Sequence, residues 1–511
     1  MTEAEPKTET LTLAKGAGIS LVGRGFSRGL LLLGMAFLTR ALSWEQFGLF
    51  SLGWTVLQIG SALGPSGLAQ AVIHFGTRYW KQDEKKFAGL LWRALALSSA
   101  VAALTAIVIY LLSAPLADWF HKPGLDSVLR WTAAALACAI VLRVASGATR
   151  ITRRMQFSAL VEDILPALVF ALGGYIFTSV LGWGLTGGLL ALLLGFALGL
   201  VISLWGVFRF FPESKTRTWD RSPTWRELSA FSVPSALAAV SGTVALLAPR
   251  FIAGYYLSGA QIGLFQAAYQ LATLTSIILA SFNAIFAPLV SSLHREDHQQ
   301  LDELYKVSTK WGLYVSLPFF IVMILFPAPL LRFVFGESSE AGVTAFVILT
   351  VAQLVNTATG GIGTLLVMTG FQKNWMVISL WTLVGVIIAS ILMLRPWGLT
   401  GMAVATSLGI VGMFLWALVE GWRVLRVWPY DRRYWKGLLA GLASLAAVLV
   451  YQMIGRGTDL LALAVAGILA FGVFALTLFL LGLDAEDLRF LQAIRERLTN
   501  RNSPRMNADE R

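Results

Sequence analysis

The chain has 511 residues, of which 57% are hydrophobic and only 13% are charged, and its mean hydropathy is +0.71. Soluble domains carry about 25% charged residues, so this composition excludes a soluble globular protein and indicates an integral membrane protein. The net charge of +12 does not indicate nucleic-acid binding, because the sequence contains no soluble basic module; basic loops that orient a multi-pass protein account for it. The single cysteine, Cys138, excludes an internal disulfide and a cysteine-based metal site.

Apolar runs long enough to cross a bilayer recur along the whole chain and predict an all-α polytopic protein with about fourteen transmembrane helices. The predicted spans lie near residues 15–38, 46–75, 88–113, 128–149, 159–181, 184–210, 228–256, 261–290, 308–334, 341–369, 374–395, 398–424, 434–454 and 459–482. Prolines predict breaks at Gly64-Pro65 within helix 2 and at Pro327 and Pro329 near the end of helix 9.

The first predicted helix contains two arginines, Arg24 and Arg28, one helical turn apart and therefore on one face. A charge inside a bilayer costs at least ~2.5 kcal/mol on insertion scales, so it usually faces a polar cavity or a partner. The sequence offers no nearby acid to neutralise the pair. A bound anion is therefore the predicted partner, because it would relieve the repulsion between the two guanidinium groups.

Lysine and arginine are concentrated in every second loop, which predicts that both termini lie in the cytoplasm and that the number of helices is even. The polar first ten residues lack a signal-peptide pattern, and helix 1 is expected to be retained. The predicted segments are a cytoplasmic N-terminus (1–14), an N-lobe of helices 1–6 (15–210), a cytoplasmic linker (211–227), a C-lobe of helices 7–12 (228–426), extra helices 13 and 14 (427–482) and a cytoplasmic tail (483–511).

Two short motifs occur twice at nearly the same offset. LSWEQFGLF begins at Leu42 and LSGAQIGLF at Leu257, 215 residues later; WGLTG begins at Trp183 and again at Trp397, 214 residues later. Each copy spans six predicted helices, an even number, so both copies have the same orientation in the membrane. This pattern predicts a parallel repeat with the substrate site between the two halves.

The ionisable residues inside the predicted spans are nearly all basic, namely Arg24, Arg28, Arg143 and Arg250. A cavity lined by guanidinium groups favours an anion, and their planar forks match phosphate oxygens. Two alternatives remain open: each arginine caps backbone carbonyls between helices, or Arg250 extends toward the outer face.

Neutral polar and aromatic residues accompany these arginines and suit sugar hydroxyls and sugar faces. The candidates are Gln58, Gln70, His74, Tyr269 and Asn283, joined by Gln266, Gln270, Gln353 and Asn356. Hydrogen bonding between helices is the alternative role for each. The sequence shows no nucleophile–base pair or phosphate loop, and His294 and His298 lack a third metal ligand, so neither enzymatic chemistry nor a cofactor is predicted.

The opening helix, LSWEQFGLF with the following GPSGLAQAVIHFGTRY, and the segment 150–163 leading into WGLTG resemble the polysaccharide or O-antigen (Wzx-type) flippases. These belong to the multidrug/oligosaccharidyl-lipid/polysaccharide exporter superfamily. The resemblance covers roughly residues 13–428. It implies two six-helix bundles in a V, alternating access, and an undecaprenyl-pyrophosphate-linked oligosaccharide moved between leaflets during O-antigen, lipopolysaccharide or exopolysaccharide synthesis. The fourteen predicted helices also resemble the lipid II flippases of the same superfamily, whose two extra helices border a groove for the lipid tail.

The expected partners are the lipid-linked oligosaccharide, membrane lipid, and a polysaccharide polymerase or glycosyltransferases of the same assembly route. Three alternatives stay open: a drug/cation antiporter, a lipid II flippase and a scaffold of the polysaccharide assembly complex. The antiporter would require a mid-membrane carboxylate, and the scaffold would require a docking domain in the loops; the sequence shows neither clearly.

Overall fold

The computed structural model of the chain describes residues 23, 25–64, 66–80, 82–152, 155–211, 224–283, 290, 298–454 and 460–482. Arg24, His294, segments 1–14 and 483–511 and most of the 211–227 linker lie outside the described residues. The described part is helical almost throughout and has no β-strand, which confirms the all-α prediction. It contains 11 helices long and apolar enough to cross a membrane, and the count of about fourteen stays a prediction.

The first bundle comprises eight helices. They are α1 (25–41), α2 (Trp44–Leu63), α3 (Ser66–Tyr79), α4 (Glu84–Trp119), α5 (Leu125–Thr149), α6 (Met155–Ala159), α7 (Leu165–Gly174) and α8 (Gly184–Phe210). A 3₁₀ turn covers Arg150–Thr152, and π turns cover Leu160–Ile164 and Tyr175–Val180. The first π turn precedes Pro166, which has no N–H to bond the carbonyl of Glu162, so the helix widens there.

The second bundle also comprises eight helices, and two further helices follow it. They are α9 (Trp225–Tyr256), α10 (Gly259–Ala272), α11 (276–283), α12 (His298–Leu325), α13 (Pro327–Phe335), α14 (Val343–Ala358), α15 (Ile362–Met368) and α16 (Gln372–Leu425), then α17 (Tyr434–Ile454) and α18 (Leu460–Leu480). 3₁₀ turns cover Thr273–Thr275 and Glu337–Gly342. These helices follow the predicted spans. The division of the chain into six segments stays a prediction.

The repeated motifs adopt the same local structure in both copies. Ser43 caps α2 and Ser258 caps α10, each in a capping box completed by a glutamine three residues later. Gly184 and Gly398, the first glycine of each WGLTG motif, have positive φ angles of 56° and 51°. Gly184 begins α8, and Gly398 divides the 54-residue α16 into two helices. The parallel repeat is therefore confirmed in the backbone.

The two capping boxes meet at one end of the molecule, here called the junction end (Ser43 and Ser258). A Cβ on Gly48 would lie 1.8 Å from the carbonyl oxygen of Gly259, and one on Gly263 would lie 2.7 Å from that of Trp44. Only glycine permits this approach of α2 to α10. The adjacent core combines side chains of both bundles that are fully buried: Phe47, Phe50, Phe265 and Phe346.

Helices α17 and α18 are attached to the second bundle through α12. The hydroxyl of Tyr314 donates to the carbonyl of Arg433 (3.0 Å) and accepts from the N–H of Gly437 (3.0 Å). Arg433 also binds the carboxylates of Glu303 and Asp431, which raise the pKa of its guanidinium above the ordinary value. The connection between α16 and α17 is thereby held against the start of α12.

One predicted span is interrupted in the structure. The apolar run at 341–369 predicts a single helix, but α14 ends at Ala358 and α15 begins at Ile362. Gly360 between them has a φ of +65°, which L side chains rarely adopt. The expected continuous helix is therefore wrong, and the glycines of the Thr359–Gly363 segment are the reason.

Candidate functional site: adjoining chambers between the bundles

A cavity of about 310 Å³ lies between the two bundles and is here called the inner chamber. It is lined by Arg28, Leu31, Trp54, Gln58, Leu246, Arg250, Tyr269, Gln270, Thr273, Leu274, Ser276, Gln353, Asn356, Ile410 and Phe414. Helices α1 and α2 supply one wall, and α9, α10, α14 and α16 supply the others. The parallel repeat predicted a site between the halves, and this chamber occupies that position.

Arg28 links the two bundles at this chamber. Its Nη1 donates to Oγ of Ser276 at 2.8 Å, which joins α1 to the start of α11. The Arg28 side chain is exposed to the cavity rather than enclosed by protein. Its guanidinium is therefore accessible to a ligand entering between the bundles.

Arg250 presents a buried positive charge to the same chamber. It is 3% exposed, and its guanidinium carbon lies 3.8 Å from the ring centroid of Tyr269. The Nε and Nη2 atoms have no hydrogen-bond partner among the described residues. The alternative that Arg250 extends to the outer face is wrong, because its side chain lies within the chamber wall. A buried charge with unmet donors is costly, and an anion in the chamber would supply acceptors.

Two buried amides also have unmet hydrogen-bonding atoms, and one of them, Asn356, lines the inner chamber with Arg250. Gln266, 2% exposed and one turn from Tyr269, has no partner for either Oε1 or Nε2 within the described chain. Asn356 donates from Nδ2 to Oε1 of Gln353 at 3.1 Å, but its Oδ1 has no described partner. Unmet polar atoms on both Arg250 and Asn356 favour a polar ligand in the inner chamber.

A second cavity of about 440 Å³, here called the vestibule, adjoins the inner chamber. The two cavities share Arg28, Ser276, Asn356 and Phe414. The rest of the vestibule is lined by Leu279, Ala280, Asn283, Gly360, Gly361, Gly363, Thr364, Val367, Met368 and Trp375. No aspartate or glutamate is among the described residues that line either chamber.

A third cavity of about 200 Å³ lies within the first bundle and contains acids. Glu162 and Asp163 line it beside Ser27 of α1, on the π turn before Pro166. The expectation that no acid lies close to the first helix is therefore wrong. The backbone brings this turn against α1, a contact that separation in sequence does not reveal.

Glu162 joins two arginines in a local network within this cavity. Its carboxylate binds the guanidinium of Arg150, accepts from Oγ of Ser146 at 2.7 Å, and lies 3.9 Å from Nε of Arg143. Arg143 also donates to the carbonyl of Ser61 at 3.0 Å. This bond is the alternative role considered for Arg143, namely capping a backbone carbonyl between helices.

The structure brings some of the predicted site residues together and separates others. Arg28, Arg250, Gln58 and Tyr269 line the inner chamber, Asn283 lines the vestibule, and Arg143 lines the first-bundle cavity with Gln58. Gln70 and His74 are exposed on α3 and line none of the three cavities. Arg24 lies outside the described residues. Substrate binding by any of these residues stays a prediction.

Polar contacts close the two bundles against each other at the junction end. The carboxylate of Glu45 accepts from the N–H groups of Gly259 (3.0 Å) and Ala260 (2.8 Å), at the positive end of α10. Nζ of Lys122 donates to the carbonyl of Leu257 at 2.6 Å. Burial lowers the pKa of Lys122, and the nearby Glu45 carboxylate opposes that shift. The repeated motif predicted two equivalent segments with the same orientation, but not that they contact each other.

The repeated bundles around a polar cavity define the architecture of a multi-pass membrane transporter, and solved structures have the same fold. The chain aligns with a lipid II flippase, MurJ, in an inward closed conformation (TM-score 0.73, 13% identity, 89% of this chain and 97% of that one). It also aligns with an inward-facing multidrug resistance transporter of the MATE family, of the MOP superfamily (TM-score 0.67, 17% identity, 80% and 98%).

Sequence comparison identifies the family. The model described as "Polysaccharide biosynthesis protein" matches residues 37–344, and the chain belongs to that family. It is similar to the probable low-salt glycan biosynthesis flippase Agl15 of Haloferax volcanii (24% identity, 78% of this chain, 81% of the relative). It is also similar to the succinoglycan biosynthesis transport protein ExoT of Rhizobium meliloti (22% identity, 65% and 64%).

Proposed function

We propose that this protein is a flippase that moves undecaprenyl-pyrophosphate-linked oligosaccharides from the cytoplasmic to the periplasmic leaflet of a bacterial inner membrane. The observation that supports this most is the pair of guanidinium groups of Arg28 and Arg250 in one chamber without a lining carboxylate among the described residues. Family membership and the names of both relatives support a role in glycan transport.

The chemistry of the chamber fits a pyrophosphate head. Guanidinium groups bind phosphate oxygens through two parallel hydrogen bonds, and Nε and Nη2 of Arg250 have no acceptor among the described residues. The polyprenyl tail remains in the bilayer, beside α17 and α18, while the head occupies the cavity. The bundles then separate at the junction end and release the head on the other side.

The drug/cation antiporter is the main rival. A cationic drug would meet the positive charges of Arg28 and Arg250, whereas the acids Glu162 and Asp163 lie in a different cavity. A lipid II flippase would bind the same pyrophosphate group. The lipid that accumulates in a strain without this protein distinguishes the two substrates, lipid II and the lipid-linked oligosaccharide. A scaffold protein would not require polar chambers between its two bundles.

The proposed sidedness places the junction end in the periplasm and rests on the distribution of lysine and arginine. In a Cys138→Ser background, cysteines at positions 183 and 397 should react with an impermeant thiol reagent in spheroplasts. A cysteine at position 84 should be protected. Labelling of 84 with protection of the other two would reverse the assignment.

The function is tested in a strain that lacks this protein and is complemented with variants. We expect the strain to lose surface polysaccharide and accumulate its lipid-linked precursor, and wild type to restore export. Arg28→Ala should restore roughly tenfold less or worse, since a hydrogen bond to a charged group contributes about 1.5–3 kcal/mol. Arg28→Lys should also be impaired, because lysine keeps the charge but loses the planar fork.

Arg423→Ala is the matched control, because the Arg423 side chain is 69% exposed and lies outside both chambers. It should restore export fully. Normal surface polysaccharide in the strain without this protein would contradict the proposed function. Normal export by Arg28→Ala at wild-type abundance would contradict the anion site.

A further inference from the structure

The vestibule is formed where the chain between α14 and α15 approaches neighbouring side chains closely. A Cβ on Gly361 would lie 2.1 Å from Oδ1 of Asn283, and one on Gly363 would lie 2.8 Å from Cη2 of Trp375. Both distances are too short for any side chain larger than hydrogen. The glycines therefore allow an amide and an indole to approach this backbone segment at the cavity wall.

Asn356 supplies an unsatisfied acceptor at the boundary of the vestibule and the inner chamber. It is 8% exposed, and its Oδ1 has no partner within the described chain. Its Nδ2 donates to Oε1 of Gln353, which leaves Oδ1 as the unsatisfied atom of the amide. A ligand hydroxyl is a suitable donor, and it would remove the cost of an unmet buried acceptor.

Trp375 and Phe414 supply an aromatic wall. Their ring centroids lie 6.2 Å apart, and both residues line the vestibule. Trp375 is half-buried, so part of the indole is available to a ligand. An aromatic face with a few fixed polar groups is typical of sites for small amphipathic ligands, and a sugar ring has an apolar C–H face and hydroxyl edges.

The charges of the two chambers differ. Arg28 and Arg250 line the inner chamber, whereas Arg28 is the single charged residue among the described residues that line the vestibule. Arg28 borders both, so a pyrophosphate bound there lies next to an uncharged aromatic and amide surface. The group attached to that pyrophosphate would enter the vestibule.

On the basis of the proposed function, we propose that the vestibule binds the first sugar of the lipid-linked oligosaccharide. Trp375 stacks on the sugar ring, and the oxygen of Asn356 accepts from a hydroxyl. Asn283 offers a second polar contact beside Gly361. The vestibule thereby distinguishes a glycosylated carrier from the bare lipid pyrophosphate, while the arginines bind both.

The test measures binding to the purified full-length protein in lipid nanodiscs. The probes are undecaprenyl pyrophosphate and the same lipid linked to N-acetylglucosamine or to galactose. We expect wild type to bind at least one sugar-linked probe roughly tenfold more tightly than the bare lipid, as one stacking contact and one hydrogen bond would supply. Trp375→Ala should remove this advantage and change affinity for the bare lipid less than twofold.

Trp381→Ala is the control, since Trp381 lies on the same helix, is 61% exposed and lines neither chamber. It should bind like wild type. Trp375→Phe keeps a ring and should retain part of the advantage, and the melting temperature of each variant verifies that it is folded.

Two outcomes would overturn the subsite while leaving the proposed function intact: wild type shows no preference for either sugar-linked probe, or Trp375→Ala keeps the full preference. An equal loss of affinity for all three probes in Trp375→Ala would show that the vestibule holds the lipid chain instead, and would also overturn it. Failure of wild type to bind any of the three lipids would contradict the proposed function itself, and the subsite with it.

Discussion

Arg143 lies on α5 of the first bundle and Arg250 on α9 of the second, and their surroundings differ. Arg143 is 42% exposed, donates to the carbonyl of Ser61 and lies near the carboxylate of Glu162. Arg250 is 3% exposed and stacks on Tyr269, and two of its nitrogens have no described acceptor. The first arginine shares the carboxylate of Glu162 with Arg150, and the second is a buried charge without a described counter-ion.

The difference indicates two roles for an arginine inside the membrane. A paired arginine holds helices together, and removing its acid leaves charge uncompensated. A buried arginine without a described acceptor is costly in the ligand-free protein, and a bound anion would remove that cost by supplying the acceptor. The comparison therefore supports the proposed anion site in the inner chamber rather than one in the first-bundle cavity.

The largest expected effect follows from replacing Arg250. Arg250→Met should lower surface polysaccharide roughly ten- to hundredfold, because the charge-assisted hydrogen bonds to phosphate are lost. Its abundance in the membrane should match wild type, because methionine removes a desolvated charge and keeps the volume. Polysaccharide assays with immunoblots of membranes check both. Loss of the protein from the membrane would make Arg250 a structural residue like Arg143.

A smaller effect, on stability, is expected at Glu162. Glu162→Gln removes the negative charge between Arg143 and Arg150 and should lower the free energy of unfolding by about 1–2 kcal/mol, since both arginines are partly solvated. The melting temperature of the purified protein measures it. Glu337→Gln is the control, because the Glu337 side chain is 80% exposed and should change little. An unchanged melting temperature for Glu162→Gln would show that the network is not stabilising.

The smallest effect is expected at Arg143. Arg143→Met should lower the free energy of unfolding by less than about 1 kcal/mol, because its ion pair is long and its side chain is partly exposed. Glu162 keeps its contacts with Arg150 and Ser146. Affinity for undecaprenyl pyrophosphate should equal that of wild type. A large loss of affinity would show that the first-bundle cavity also binds the anion and would end the distinction.

The sequence predicted the repeat, the all-α fold and several polar residues that line the inner chamber, because the signals for these are local. Serine and glutamine three residues apart predict a capped helix start, and copies of LS-x-x-Q 215 residues apart predict two equivalent ones. Arginine inside an apolar run indicates a polar cavity wherever it lies. The positions of Arg28 and Arg250 in one cavity agree with that reasoning.

The network at Glu162 and the vestibule were not predictable, because both depend on contacts between distant segments. Glu162 lies near a span end in sequence, and only the π turn before Pro166 brings it to Arg143. From the sequence alone, Trp375 cannot be distinguished from a tryptophan at the membrane interface. The structure shows that the break after Ala358 lies beside it and that it lines a cavity. The consecutive glycines Gly360 and Gly361 were the available signal for that break.

The central claim is that an anion completes the coordination of Arg250, and a thermal shift tests it directly. Saturating undecaprenyl pyrophosphate should raise the melting temperature of wild type, since binding at a hundred times Kd adds about 2.7 kcal/mol to the free energy of unfolding. Arg250→Met should start at an equal or higher melting temperature without the lipid and gain little from it. A ligand-induced rise in Arg250→Met equal to that of wild type would contradict the account.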